Sequence, residues 1–155
     1  MSVLRPERDL FLFSLRPEYA KALFSGLKKY ELRRGAGSDL KRGDLAVVYV
    51  SGRIKRLFGC FEIGSVFRGS PEEVWRYVSS KRDSGVGRDA KRYIEGSSRA
   101  VAIEVVRPRA FSLRPTLAEI RSLFPSWSPP LSYVKLSPTD PFVVFFVRRA
   151  MESIL

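Results

Sequence analysis

The chain has 155 residues, 45% hydrophobic and 12% aromatic, enough for one packed core and too apolar for a disordered segment. It carries 28 Lys and Arg against 16 Asp and Glu, a formal charge of +12, and it has no histidine and a single cysteine, Cys60. These counts exclude internal disulfides, thiolate zinc sites, His-ligated metals and every His-based triad or general base.

No apolar run approaches the ~20 residues of a membrane span, and the opening MSVLRPERDL is charged where a signal peptide would be apolar. A single domain over residues 1–155 is expected, cytoplasmic and away from the membrane.

In chain order, the first strand signal is the apolar run at residues 11–15, which stops at Arg16-Pro17. Pro17 then opens a helix with Tyr19, Ala20, Leu23 and Phe24 at helical spacing, and Gly26 ends it. Residues 28–34 alternate as a strand does, with Tyr30 and Leu32 on one face and Lys29, Glu31 and Arg33 on the other. Arg42-Gly43-Asp44 marks a turn, and residues 45–51 form a valine-rich strand.

Residues 57–67 read as a long strand interrupted by Gly59 and Gly64, the pattern of bulges or bends that let a sheet curl. Ser70, Pro71 and Glu73 make a capping box at the head of a helix reaching about residue 79, and residues 89–94 suggest a second short helix. Residues 100–106 are a strand that Pro108 should end, and Thr116 with Glu119 opens a helix to Leu123. Residues 125–130 are a proline-rich loop carrying Trp127, and residues 133–136 a weak strand. The unbroken apolar run at residues 142–147 reads as a fully buried strand, with a last short helix behind it. Six or seven strands and about four short helices imply an α+β fold with a mostly antiparallel, closed sheet.

Arginine outnumbers lysine 20 to 8, which favours phosphate and base contacts because the planar guanidinium forks onto oxyanions and stacks on rings. A charge of +12 on a small domain attracts polyanions, so RNA is the expected partner and DNA the alternative. Arg53, Lys55 and Arg56 form a basic turn, and Ser51, Tyr49 and Trp127 are candidate polar and stacking groups beside it. Trp127 is either a base-stacking ring or a lid packed on the barrel mouth. Cys60, between Gly59 and Phe61, reads as a small buried residue. The scattered acids give no calcium-loop spacing and no glycine-rich phosphate loop is present, so neither metal nor cofactor is expected.

Gly26, Lys28, Glu31 and Arg33 spell G-x-K-x-x-E-x-R, preceded by a strand, a proline and a helix that ends at the glycine. That arrangement resembles the ASCH domain family, a branch of the PUA-like superfamily, and Gly43-Asp44, the following strand and the Ser70-Pro71 helix with Trp75 extend the likeness. The resemblance implies a small PUA-like β-barrel with flanking short helices, a cleft beside the motif strand, and an RNA-related role. Some members are amidohydrolases that deacetylate N4-acetylcytidine with a lysine, a threonine and a glutamate, and a related group is assigned metal-dependent ribonuclease activity. Lys28 stands at the lysine of those amidohydrolases, whereas Glu31 stands where their threonine would be. Their acidic partner follows the central helix, where this chain offers Asp83 and Asp89.

Two functions follow. The first is a binding module that holds RNA or a modified nucleotide with Lys28, Glu31 and Arg33, flanked by Arg53, Lys55, Arg56, Ser51, Tyr49 and Trp127. The second is a hydrolase of RNA or of an acylated nucleoside, with Lys28 and Glu31 catalytic. A buried, hydrogen-bonded Lys28 favours the enzyme, and a solvated one favours binding.

Overall fold

The computed structural model describes residues 8–154. It contains the strands β1 (Leu10–Leu15), β2 (Tyr30–Arg34), β3 (Leu45–Val50), β4 (Arg56–Gly69), β5 (Ala100–Ala110) and β6 (Tyr133–Leu136). Five helices accompany them: α1 (Pro17–Phe24), α2 (Pro71–Ser79), α3 (Arg88–Ile94), α4 (Leu117–Leu123) and α5 (Arg148–Glu152). The strands form one curled half-barrel sheet in the order β2-β5-β4-β3-β1-β6, in which only β1 and β3 are parallel.

Period-two alternation sorts the side chains into the layers that make the core. Leu10, Leu12, Leu45, Val47 and Tyr49 pack on α4 and the C-terminal helical segment, while Phe11, Phe13, Leu15, Ala46, Val48 and Val50 pack on α1 through Ala20 and Leu23. A third cluster joins Tyr30 and Leu32 of β2 to Val74 and Val78 of α2 and Ile94 of α3. Both expected capping boxes are present, Ser70 with Glu73 and Thr116 with Glu119, so α2 and α4 begin where the sequence says they should.

The glycines of β4 have the expected role. Its register shifts against β3 beside Gly59, where Val48 pairs with Gly59 and Tyr49 with Leu57, and against β5 at Gly64, between Ile63 and Val66. A Cβ on Gly59 would stand 2.5 Å from the Arg109 carbonyl oxygen and 2.5 Å from the Phe24 ring, so only glycine fits there.

Three expectations are corrected. The run at residues 142–147 is not a strand: Val143–Val147 is a π-helical turn that leads into α5. The run is not buried throughout, since Val144 and Phe145 are exposed while Phe142, Val143, Val147, Ala150 and Met151 enter the core. The start signal is Asp140-Pro141, because the Asp140 carboxylate accepts the Phe142 N–H at 2.9 Å and Pro141 tolerates the first helical position.

Secondly, β5 passes through Pro108 instead of stopping before it. Arg107 and Pro108 sit in the bulge between the Glu62–Val106 and Cys60–Arg109 pairs, Arg107 at φ +49°, where a missing ladder donor costs nothing.

Thirdly, backbone pairing does not close the barrel: β2 and β6 remain edges of the sheet. A side chain spans the seam: Arg33 of β2 donates to the Ser14 carbonyl of β1 at 3.1 Å and to Ser132 Oγ, just before β6, at 3.2 Å.

Candidate functional site

The site begins at the end of α1. Gly26 at φ +83° turns the chain back, and the Leu27 and Lys28 N–H groups both donate to the Ala22 carbonyl at 3.0 Å. β2 starts only at Tyr30, so Lys28 lies in the turn and escapes the strand's alternation. Its Nζ folds onto Glu31 Oε1 at 2.9 Å. Glu31 and Arg33 share one face of β2, as two-residue spacing requires, and Arg33 Nη2 stands 3.6 Å from Glu31 Oε2.

All three side chains are buried: Lys28, Glu31 and Arg33 are 6%, 5% and 6% exposed. Charges removed from water at this depth hold only when paired and hydrogen-bonded, and each cation here has such partners. One acceptor is left over. Glu31 Oε2 makes no hydrogen bond among the described residues, and neither does Arg33 Nε.

These groups line one wall of a pocket of about 400 Å³. Ser14 and Arg16 line it from the end of β1, Tyr19 from α1, Ser51 from the turn after β3, and Asp89, Ala90 and Tyr93 from one face of α3. Leu131 closes the ring of elements from the loop before β6. Tyr19 and Asp89 tie α1 to α3 by a 2.5 Å hydrogen bond, and Lys28 Nζ sits 4.8 Å from the Tyr19 ring centre. The Tyr19 hydrogen bond holds the Asp89 carboxyl below its usual range, and the same bond, with some burial, raises the Tyr19 hydroxyl.

The structure therefore gathers Lys28, Glu31, Arg33 and Ser51 into one pocket. Ser51 is partly engaged, since its Oγ donates to the Leu15 carbonyl at 3.2 Å. Tyr49 does not belong here: it is 1% exposed in the core cluster on the other side of the sheet, where no base can reach it. Trp127 packs on the same cluster, stacked on Phe142 at 4.8 Å between ring centres and edge-on to Tyr49 at 5.7 Å. Of its two readings, packing against the protein is the one seen. Arg53, Lys55 and Arg56 are exposed and contribute nothing to the pocket lining, with Arg56 turned to the Arg114 carbonyl. Cys60 is buried, and that burial pushes its thiol up to about 11, the state of an inert packing residue.

Sequence reasoning missed Tyr19, Arg16, Tyr93 and Leu131. The spacing of Asp89, Ala90 and Tyr93 on a short helix could have flagged a common face, but nothing in the sequence says what that face covers. Asp83 lies in a turn at φ +61° outside the pocket lining, whereas Asp89 reaches it. Among the described residues, no group of three His, Cys, Asp or Glu side chains is placed to hold a metal ion.

The profile of the ASCH domain matches residues 13–112, which contain the whole motif and every pocket residue except Leu131. The chain belongs to the ASCH domain family. The crystal structure of the ASCH protein from Zymomonas mobilis is similar at a TM-score of 0.70 and 22% identity, covering 84% of this chain and 90% of that one. The N-terminal domain of McrB from Staphylothermus marinus follows at a TM-score of 0.53 and 15% identity over 84% of this chain and 90% of that one. A protein from Leishmania major gives 0.54 and 16% identity over 94% and 96%. At these identities the likeness is one of fold. No curated protein matches this ASCH domain.

Proposed function

We propose that this ASCH domain binds RNA, or a modified nucleotide, by taking one nucleotide into the pocket beside β2. The observation that carries the reading is Glu31, which lines the pocket and whose Oε2, 3.6 Å from Arg33 Nη2, is a buried carboxylate oxygen with no hydrogen-bond partner among the described residues. A buried acceptor left unmade costs free energy that a ligand donor recovers, and an exocyclic amino group of a base is such a donor. Lys28 donates to Glu31, and Arg33 to the Ser14 carbonyl and Ser132 Oγ, so the cations of the floor are engaged within the protein and Glu31 Oε2 is the group left to meet a base. Phosphate then falls to exposed cations at the mouth, of which Arg16 lines the pocket. The charge of +12 and the RNA-related roles of the family support the same assignment.

The test is binding of purified protein to fluorescent single-stranded RNA, tRNA and duplex DNA, titrated with salt and checked for cleaved or deacetylated product. The reading expects micromolar or tighter RNA binding that weakens as salt rises, with a log–log slope of about −0.7 per phosphate engaged. It also expects Lys28→Ala and Glu31→Ala to weaken binding. Salt-independent or absent binding would overturn it.

A second reading, hydrolysis of RNA or of an acylated nucleoside, is favoured by the burial of Lys28 and by Asp89 in the same pocket. A buried lysine bonded to a carboxylate is placed for proton transfer, and a second carboxylate on the facing helix offers another base. Glu31 still stands where the related amidohydrolases carry threonine, so their acyl-transfer step does not carry over unchanged. Product that disappears in both Lys28→Ala and Glu31→Ala would select this reading.

A further inference from the structure

We propose that the pocket mouth is a stacking platform for a second base, built by Tyr93, Arg34 and Leu131. The site then takes a single-stranded segment of two or more nucleotides in preference to a free nucleotide or a duplex. This rests on the reading of the pocket as a nucleotide site and adds a flanking subsite to it.

Tyr93 follows Asp89 by four residues on α3, so both face the pocket. Tyr93 is 41% exposed, yet it is held in place. The Arg34 guanidinium lies over its ring at 5.3 Å, and Arg34 Nε donates to the Tyr93 carbonyl at 2.6 Å. A ring fixed by a cation on one side offers a base a stacking surface with little ordering cost, and the cation adds attraction for the nearby phosphate.

Leu131 comes to the same mouth from the opposite part of the chain and is fully exposed. Pro129 and Pro130 precede it and restrict the backbone that presents it. A leucine and a tyrosine left open at the rim of a pocket whose floor is charged divide the site into a polar interior and an apolar lip. The interior, at about 400 Å³, has room for about one nucleotide, so a neighbouring base must lie on the lip. In a duplex both faces of each base are already stacked, and such a base cannot use the platform.

The experiment compares wild type, Tyr93→Ala, Tyr93→Phe, Leu131→Ser and Glu31→Gln. Probes are CMP and AMP by calorimetry, and a labelled RNA hexanucleotide and an RNA hairpin by anisotropy, at one ionic strength. Folding of each variant is checked by thermal melting. Tyr93→Ala is expected to weaken the hexanucleotide about tenfold, the scale of one base–aromatic stack, and to affect the mononucleotides far less. Tyr93→Phe keeps the ring and should restore most of the affinity. Leu131→Ser, on an exposed loop, should reproduce the direction of Tyr93→Ala, and the hairpin stem should bind more weakly than the single strand.

Equal losses for mononucleotide and hexanucleotide in Tyr93→Ala, or no loss in either, would overturn the platform. If binding still depended on Glu31, the pocket reading would survive that result. Binding of hexanucleotide and mononucleotide alike that ignores Glu31→Gln would remove the pocket reading, and the platform with it.

Discussion

Lys28 Nζ lies 2.9 Å from Glu31 Oε1 with both side chains 7% exposed, although the two residues are three apart and would face opposite ways on a continuous strand. The pair exists because Gly26 turns the chain and delays β2 to Tyr30, leaving Lys28 free to fold back. A feature of local backbone geometry thus becomes the central charge pair of the pocket. Removing one partner isolates the other in a poorly hydrated place.

Lys28→Met is accordingly expected to destabilise the protein by about 3 kcal/mol, the lower end for a broken buried pair because Arg33 remains beside Glu31. The double variant Lys28→Met with Glu31→Leu should recover only part of that loss, since Arg33 then stays buried with the Ser14 carbonyl and Ser132 but no carboxylate. Urea melts of the single and double variants check it. A single variant as stable as wild type would show that the pair is solvated.

Gly85 lies against the turn that carries Lys28. The Lys29 N–H donates to the Ser84 carbonyl at 2.8 Å, and a Cβ on Gly85 would overlap the Leu27 carbonyl, at a residue already at φ +72°. Gly96 has a similar φ, +82°, with open space around it. Gly85→Ala should cost several kcal/mol and loosen α3 from the motif turn, while Gly96→Ala should cost about 1 kcal/mol from the backbone alone. Thermal melting of the two variants, with proteolysis around residues 81–88, separates the steric effect from the conformational one.

Much of this fold was legible beforehand. The capping boxes at Ser70 and Thr116, the Pro17 start and Gly26 stop of α1, and the alternation of Tyr30 to Arg33 are local signals, and local geometry obeyed them. What failed depended on partners distant in sequence. The run at residues 142–147 is apolar in both possible readings, and only the packing of Val143 and Val147, with Val144 and Phe145 left outside, shows it to be helical. Tyr49 and Trp127 looked available because aromatic type is visible in a sequence and burial is not. The motif residues of the pocket were found through their strand. Tyr19, Tyr93 and Leu131 were missed because three separate elements bring them together.

Trp127 offers a clean separation of packing from binding. It stacks on Phe142 and meets Tyr49 in the core cluster away from the pocket. Because the ring is only partly buried, Trp127→Ala should cost about 2 kcal/mol, less than the ~3–5 of a fully buried aromatic. RNA affinity should be unchanged. A large fall in affinity with stability intact would return Trp127 to the interface.

Tyr30 and Tyr133 set the alkaline behaviour. Burial, then the hydrogen bond with Tyr77, pushes the Tyr30 hydroxyl up to about 12. Burial, then the bond to Asp39, does the same for Tyr133, also to about 12. Both values are raised above the ordinary ~10 of an unfolded chain, so the contribution is complete below about pH 10 and is lost as pH rises toward 12. Absorbance of tyrosinate should show a late-titrating fraction coincident with unfolding, and Tyr133→Phe should reduce that fraction.

Base recognition in this pocket rests on Glu31. The most direct measurement is calorimetric titration of wild type and Glu31→Gln with CMP, AMP, GMP and UMP, followed by chromatography of each mixture for product. The amide keeps the side chain's shape while removing its charge and half of its acceptor capacity. Binding of the amino-bearing nucleotides should fall about tenfold in Glu31→Gln, with UMP, which has no exocyclic amino group, binding weakly to both proteins. Equal affinity for all four nucleotides in both proteins would contradict a pocket that reads a base through Glu31.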